Sequence, residues 1–182
     1  RFTDFYAAAA ICSPTRAAVM TGRYPARVGV TDWIRARFQG GEMPEDGKNP
    51  SGHVHSQGRP LAVARNPLWM EHSEVTIAEV LKGEGYATGY IGKWHLGMDS
   101  HYPTSQGFDM NQGGCDYGQP PSYFDPYSNK KLDGIPHLEP REEGEYLTDR
   151  EADEAVTFLR ENAEGPFFLQ LANYAVHTPL QG

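Results

Sequence analysis

Residues 146–172 read YLTDREADEAVTFLRENAEGPFFLQLA, and this stretch determines the fold class. Its first part predicts a helix over 146–163, because apolar side chains recur at helical spacing at Ala152, Ala155, Val156 and Leu159. The charged residues of 149–154 would then lie on the outer face of that helix. A Gly-Pro pair ends the helix, and the continuous apolar run 167–172 predicts a buried strand.

A second helix and strand precede this pair at 76–92. Residues 76–83 predict a helix, with apolar side chains at Ile77, Val80 and Leu81. Residues 86–92 form a short run that favours a strand. Helices that alternate with buried strands predict an α/β fold with a mostly parallel sheet, because a crossover helix usually connects parallel neighbours. We expect no regular structure over 23–34, 35–67 and 98–144.

The composition fits a loop-rich globular enzyme. The 182 residues include 20 Gly and 14 Pro, dispersed between the apolar runs. No stretch approaches the roughly 18 uncharged apolar residues that a membrane span requires. The 16 Lys and Arg and 24 Asp and Glu give a net charge of −8, without the basic runs typical of nucleic-acid binding. We therefore expect neither a membrane span nor a nucleic-acid partner.

The first candidate site is the sequence CSPTRAAVMTGR at 12–23. A Ser-Pro pair is a common helix start and Gly22 a common helix end, so residues 15–20 predict a helix. Cys12 then lies at the N-terminal edge of this helix, and Arg16 follows one turn later on the same face. The helix N-terminus and Arg16 would both favour an anion beside Cys12. By spacing alone, a half-buried cysteine beside a surface arginine is the simpler interpretation.

Two further candidates follow the predicted strands. Lys93 and His95 belong to GYATGYIGKWHLG at 85–97, and a strand that continued through them would project both side chains to one face. Open α/β sheets bind ligands at the carboxyl ends of their strands, where such a pair suits an anion and a proton relay. Two solvated polar residues at a strand end are the alternative. His177 follows the strand at 167–172, although a loop histidine is more often a surface residue.

Taken together, these motifs resemble the type I, formylglycine-dependent sulfatases of the arylsulfatase kind. CSPTR continued by TGR resembles the first signature of that family, and GKWHLG resembles the second. The segment that ends in HTP at 177–179 is similar to the stretch in which a strand delivers a substrate-facing histidine. The resemblance implies an alkaline-phosphatase-like α/β sandwich with a mostly parallel central sheet. It also implies hydrolysis of an aryl or carbohydrate sulfate ester with one divalent cation, usually Ca²⁺.

The resemblance implies a role for each candidate residue. Cys12 is converted by a formylglycine-generating enzyme to formylglycine, which acts as nucleophile and contacts the metal. Arg16 holds that residue and offsets its charge. Lys93 contacts the sulfate and the hydrated aldehyde, and His95 assists removal of a proton from it. His177 contacts the sulfate near the leaving oxygen.

The family's other metal ligands match no position of this chain. They comprise an Asp pair upstream of the region that matches residue 1 and an Asp-Asn or similar pair beyond the region that matches residue 182. We therefore expect residues 1–182 to be an N-terminal part of the catalytic domain that lacks the first strand and the C-terminal portion. Because Ca²⁺ takes about six to eight oxygen ligands, we expect this fragment alone to bind metal poorly and to be inactive.

Two other functions stay open at this point. A catalytically dead relative could keep the fold as an anion- or glycan-binding module, and a phosphonate or phosphate monoesterase could use the same formylglycine. The intact set of candidate residues argues against the first, because a binding module does not need all of them. The implied partners are a sulfated small molecule or glycan and the maturation enzyme. Sulfatases of this kind are commonly exported, which implies a periplasmic or secreted location.

Overall fold

The computed structural model describes residues 3–41, 43–55, 58 and 60–181. Its helices are α1 (Cys12–Thr21), α2 (Pro25–Val28), α3 (Ile77–Gly83) and α4 (Leu147–Glu161). Its strands are β1 (His53–His55), β2 (Ala62–Ala64), β3 (Ala87–Gly92), β4 (Met110–Gln112) and β5 (Phe167–Ala172). None of the helices in these ranges has the length and apolar character needed to cross a bilayer.

A three-stranded parallel sheet in the order β4-β3-β5 organises the fold. β3 pairs with β5 along its whole length, from Ala87 opposite Phe167 to Gly92 opposite Ala172. α3 precedes β3 and α4 precedes β5 along the chain, as expected for parallel strands joined by crossover helices. The parallel α/β arrangement predicted from the alternation of helices and strands is therefore confirmed.

Four of these helices and strands lie where we expected no regular structure. Helix α2 lies in segment 23–34, and the antiparallel hairpin of β1 and β2 lies in segment 35–67. Residues 42, 56, 57 and 59 of the latter segment are outside the described residues. Strand β4 lies in segment 98–144 and has the polar sequence MNQ. It forms because it pairs with β3, a long-range contact that its own sequence does not indicate.

The buried face of α4 differs from the predicted one. Ala152, Val156 and Leu159 are exposed, and the buried residues are Leu147, Arg150, Glu151, Ala155 and Phe158. Two of these are charged, so the expectation that residues 149–154 all face outward is wrong. Arg150 donates a 2.7 Å hydrogen bond to Glu154, and Glu151 accepts one of 2.7 Å from Asn173. Polar partners make the burial of both residues possible.

A sharp turn follows β3 and positions the candidate site. Gly92 ends the strand with φ +92°, and a Cβ there would lie 2.3 Å from the carbonyl oxygen of Ala172, so only glycine fits. His95 also has a positive φ of 59°. The strand therefore does not continue through Lys93 and His95, and the expected sharing of one strand face is wrong. The turn, rather than strand alternation, determines where these side chains lie.

Trp94 anchors this turn in the core. Its indole is fully buried and makes edge-to-face contacts with Tyr90, at 5.1 Å between ring centroids, and with Phe108, at 6.2 Å. The indole nitrogen donates a 2.8 Å hydrogen bond to the carbonyl oxygen of His101. Because Trp94 stands between Lys93 and His95, this packing holds both residues in place.

Candidate active site

A cavity of about 300 Å³ lies where α1 begins and the turn after β3 ends; we call it the Cys12 cavity. Three of the residues singled out in the sequence line it: Cys12, His95 and His177. Ile11, next to Cys12, also lines it, and the rest of its wall comes from more distant segments, with Trp33, Gln39, Gly118 and Gln119. A thiol and two imidazoles thus share one space of a size that holds a small ligand.

Cys12 is the first residue of α1 and carries a free, partly exposed thiol. Ser13 and Pro14 behind it are buried, and no side chain caps the helix N-terminus. The hydroxyl of Thr15 donates a 2.6 Å hydrogen bond to the carbonyl oxygen of Ala9 and accepts one of 3.1 Å from its N–H. The chain that leads to Cys12 is therefore held, while the helix N-terminus favours a negative charge beside the thiol.

His95 is buried and electrically neutral. Its Nε2 donates a 2.6 Å hydrogen bond to the carbonyl oxygen of Ile34, which fixes the tautomer because a carbonyl can only accept. Its Nδ1 is then the acceptor, and it has no partner within the described residues. Burial lowers the pKa of His95 to about 3, and the positive charges of Lys93 and Arg16 contribute to the shift. This imidazole is a proton acceptor that stays uncharged at neutral pH.

Lys93 places a buried cation close to Cys12. Only 3% of the residue is exposed, and no ion pair within the described ranges uses its ammonium group. Burial lowers the pKa of Lys93 to about 8; a Cys12 thiolate raises it and Arg16 lowers it. Lys93 is not among the residues that line the Cys12 cavity, but its charge acts on both Cys12 and His95.

Arg16 lies behind the site rather than in it. Its guanidinium donates hydrogen bonds to the carbonyl oxygen of Lys93 and, at 3.3 Å, to the hydroxyl of Tyr90. That hydroxyl in turn donates a 2.5 Å hydrogen bond to the same carbonyl. Arg16 lines a separate cavity of about 330 Å³ that it shares with Tyr90 and Asn173. In this geometry Arg16 joins α1 to the end of β3.

Sequence reasoning missed an anchor of the cavity wall at Asp116. This fully buried carboxylate accepts hydrogen bonds from the backbone N–H of Arg37, at 2.9 Å, and from the hydroxyl of Tyr102, at 3.4 Å. It thereby ties the turn that carries Gln39 to the segment that carries Gln119. The glycine-rich sequence GGCDYG at 113–118 indicates a close backbone approach, and it is the one local signal for this role.

The described residues do not by themselves fit a calcium site. No group of three or more His, Cys, Asp or Glu side chains within them lies close enough to hold a metal ion. A hard divalent cation requires several oxygen ligands that converge on one point.

Residues 1–182 match the family model described as Sulfatase over their full length. The chain belongs to the sulfatase family. It is 31% identical to the arylsulfatase of Hemicentrotus pulcherrimus over 99% of its own length and 31% of that relative. It is also 31% identical to human N-acetylgalactosamine-6-sulfatase, over 98% of its length and 33% of the relative. This sulfatase chain therefore spans about a third of these curated relatives.

Solved structures give the same result for the fold. The sulfatase chain is similar to crystal structures of Ps i-CgsB, free and in complex with k-i-k-neocarrahexaose, with TM-scores of 0.65 and 0.64. The sequence identity is 29%, and the likeness covers 97% of this chain and 37% of that one. The family assignment and the alkaline-phosphatase-like α/β fold implied by the motifs are both confirmed.

Proposed function

We propose that residues 1–182 are part of the catalytic domain of a sulfuric ester hydrolase that cleaves an aryl or carbohydrate sulfate monoester. The observation that carries the proposal is the convergence of Cys12, His95 and His177 on one cavity, with the buried Lys93 ammonium beside them. Family membership supports the reaction class. The carbohydrate half of the proposal draws support from the relative named for N-acetylgalactosamine 6-sulfate and from the structural neighbour in complex with a hexaose.

Cys12 occupies the position from which a nucleophile would act. We propose that a formylglycine-generating enzyme converts its side chain. Formylglycine then supplies a hydrated aldehyde. One of its hydroxyls attacks sulfur while the ester S–O bond breaks and the alcohol leaves with a proton, and deprotonation of the second hydroxyl re-forms the aldehyde and expels the sulfate. The N-terminus of α1 offers its backbone N–H groups to the negative charge that develops at this position.

Lys93 and His95 supply a charge and a base. Because the Lys93 ammonium has no carboxylate partner in the described part of the chain, its positive charge attracts a sulfate in the Cys12 cavity from behind the cavity wall. The neutral His95 accepts a proton at Nδ1, since its Nε2 is held by the carbonyl oxygen of Ile34. Burial and the neighbouring positive charges lower the pKa of His95 to about 3, so the ring is neutral at neutral pH and its Nδ1 lone pair is available for that proton.

His177 and Arg16 have supporting roles in this proposal. His177 is exposed at the edge of the Cys12 cavity, where it can hold the sulfate near the leaving oxygen. Arg16 binds the carbonyl oxygen of Lys93 and so positions the turn that presents Lys93 and His95. Calcium, the cation expected from the family, would require ligands beyond the residues described here.

The test uses the full-length protein, expressed with and without a formylglycine-generating enzyme. Mass spectrometry of the peptide that contains Cys12 should detect the aldehyde only in the first case, and only that preparation should hydrolyse 4-nitrophenyl sulfate. The Cys12→Ala variant is the matched inactive control. A thiol retained under every maturation condition would argue against the mechanism. Faster turnover of 4-nitrophenyl phosphate than of the sulfate would assign the site to phosphate esters instead.

A further inference from the structure

Two further cavities each share a lining residue with the Cys12 cavity. The first, about 440 Å³, shares Gln119 with it and contains Phe38, Lys130 and Lys131; we call it the lysine cavity. The second, about 520 Å³, shares Trp33 with it and contains Arg35 and Arg65; we call it the arginine cavity. Each volume lies within the range of about 300–1,000 Å³ that holds a small ligand.

The cations of the two side cavities have no ion-pair partner in the described part of the chain. All four are exposed, and no ion pair among the described residues involves Arg35, Arg65, Lys130 or Lys131. Among the described residues, no acidic side chain lines the lysine cavity, and Asp32 is the one acidic side chain that lines the arginine cavity. The chain as a whole carries a net charge of −8, so the positive charge of these two cavities is opposite in sign to the net charge of the chain. Such a pattern concentrates anions near the site.

Aromatic rings stand beside these charges. Phe38 is 45% exposed in the lysine cavity and is held edge-on by Tyr117, at 5.4 Å between ring centroids. Trp33 is 37% exposed between the Cys12 and arginine cavities, and the guanidinium of Arg35 lies 6.0 Å from its ring centroid. Exposed rings pack against the apolar faces of sugars, while neighbouring cations bind their anionic substituents.

We propose that the three cavities form one binding cleft for an anionic oligosaccharide. The Cys12 cavity takes the sulfate ester that is cleaved. Arg35 and Arg65 in the arginine cavity, and Lys130 and Lys131 in the lysine cavity, bind sulfate or carboxylate groups on the adjoining sugars. The inference rests on the proposed function and deepens it, because it identifies the substrate class as a multiply charged glycan rather than an isolated aryl sulfate.

Binding is measured by calorimetry in the full-length protein carrying Cys12→Ala, which cannot turn over its ligand. The probes are sulfated hexasaccharides from chondroitin sulfate and from carrageenan, their desulfated forms, and 4-nitrophenyl sulfate. The charge-removing variants are Lys130→Gln/Lys131→Gln and Arg35→Gln/Arg65→Gln. The control is Lys48→Gln/Arg160→Gln, which also removes two exposed cations but touches none of the three cavities.

We expect at least one sulfated hexasaccharide to bind more tightly than 4-nitrophenyl sulfate and than its own desulfated form. Each cleft pair should lower that affinity about tenfold and weaken its dependence on salt, because exposed charge pairs are individually modest and screened by ions. The Lys48/Arg160 control should bind as the parent does. The charge-conserving variants, Lys130→Arg/Lys131→Arg and Arg35→Lys/Arg65→Lys, should restore most of the affinity and exclude a folding defect.

Two outcomes would overturn the inference. In one, neither sulfated hexasaccharide binds more tightly than 4-nitrophenyl sulfate. In the other, both cleft pairs behave like the Lys48/Arg160 control. Failure of the proposed function is a separate result: the matured wild-type protein would not hydrolyse 4-nitrophenyl sulfate, whatever the Cys12→Ala protein binds.

Discussion

The hydroxyl of Ser13 donates a 2.8 Å hydrogen bond to the carbonyl oxygen of His95. The same hydroxyl accepts a 3.0 Å hydrogen bond from the N–H of Ile34, whose carbonyl oxygen receives the Nε2 proton of His95. Three segments that are distant in sequence are thus closed into a ring of hydrogen bonds. This ring sets the position of Cys12 relative to His95, because Ser13 is the next residue after Cys12.

Replacement of Ser13 by Ala should break this ring. It leaves the N–H of Ile34 without its buried partner, at a cost of about 1–3 kcal/mol in the free energy of unfolding. We also expect kcat/KM of the matured full-length protein to fall roughly 10- to 100-fold, because the nucleophile and base lose their alignment. Thr157→Ala, which removes an exposed hydroxyl bonded within α4, is the control. Unchanged kcat/KM in Ser13→Ala would show that the ring does not set the geometry.

Gly118 packs directly against the ring of His95. A Cβ at this position would lie 2.7 Å from Cε1 of His95, so Gly118→Ala must displace the imidazole. We expect a loss of roughly tenfold or more in kcat, with about 1–3 kcal/mol of destabilisation from overpacking. Gly165→Ala is the matched control, because a Cβ there meets no atom within 4 Å. Equal kcat for the two variants would contradict this role of Gly118.

The activity should decline at alkaline pH because Lys93 loses its proton. Burial lowers the pKa of Lys93 to about 8. In the proposed mechanism only the ammonium form attracts the sulfate, so kcat/KM should fall about tenfold per pH unit above that pKa. Lys93→Arg should move the decline to higher pH, since a guanidinium stays charged. Lys82→Arg, at an exposed lysine, should leave the pH profile of kcat/KM unchanged. If the alkaline decline of Lys93→Arg were identical to that of the parent, the decline would be assigned to another group.

Glu151 should make the protein less stable as the pH rises. Burial raises its pKa from 4.5 to about 7, and the hydrogen bonds from Asn173 and Tyr174 only partly oppose the shift. The folded state therefore keeps the Glu151 proton where the unfolded state has lost it. This contribution is fully present below about pH 4.5 and is lost as the pH approaches and passes 7, for a total of about 3 kcal/mol.

The measurement compares the free energy of unfolding of Glu151→Gln with that of the parent at pH 5 and pH 8. The difference between the two proteins should change by about 2–3 kcal/mol between these pH values, in favour of the glutamine variant at pH 8. The comparison cancels the contribution of His95, which is present in both proteins. Because its pKa is lowered, His95 makes the folded protein more stable as the pH rises, opposite to Glu151. Glu161→Gln, exposed on the same helix, should show no such change. A difference independent of pH would disprove the assignment.

The local sequence is sufficient to predict two of the three strands of the sheet, β3 and β5, and the helices that precede them. β3 and β5 are apolar runs bounded by glycine or proline, and α3 has a threonine cap at Thr76, so their patterns are visible within a short window. β4 has no such pattern, because its stability comes from pairing with β3. The face of α4 was mistaken because Arg150 and Glu151 are buried by polar partnerships, which a hydrophobic pattern does not register.

The residues of the candidate site likewise include some that the local sequence predicts and some that it does not. Cys12, His95 and His177 belong to motifs, and their chemistry is readable from residue type. Asp116 and Gln119 act through contacts with segments far away in the sequence, and the neighbouring glycines of 113–118 indicate a close backbone approach without identifying these partners. Strand alternation predicts that Lys93 and His95 share one face of β3. Their positions instead arise from the turn at Gly92, which the backbone geometry shows and the sequence pattern does not.

The burial of Ser13 and Pro14 has a consequence for the timing of maturation. An enzyme that modifies Cys12 must bind the peptide on both sides of it. In the folded protein, however, Ser13 and Pro14 belong to α1 and are buried against the rest of the structure. The proposed conversion therefore has to take place while this segment is still an extended chain. Maturation and folding would then compete during biosynthesis, and a chain that folds first would keep its thiol permanently.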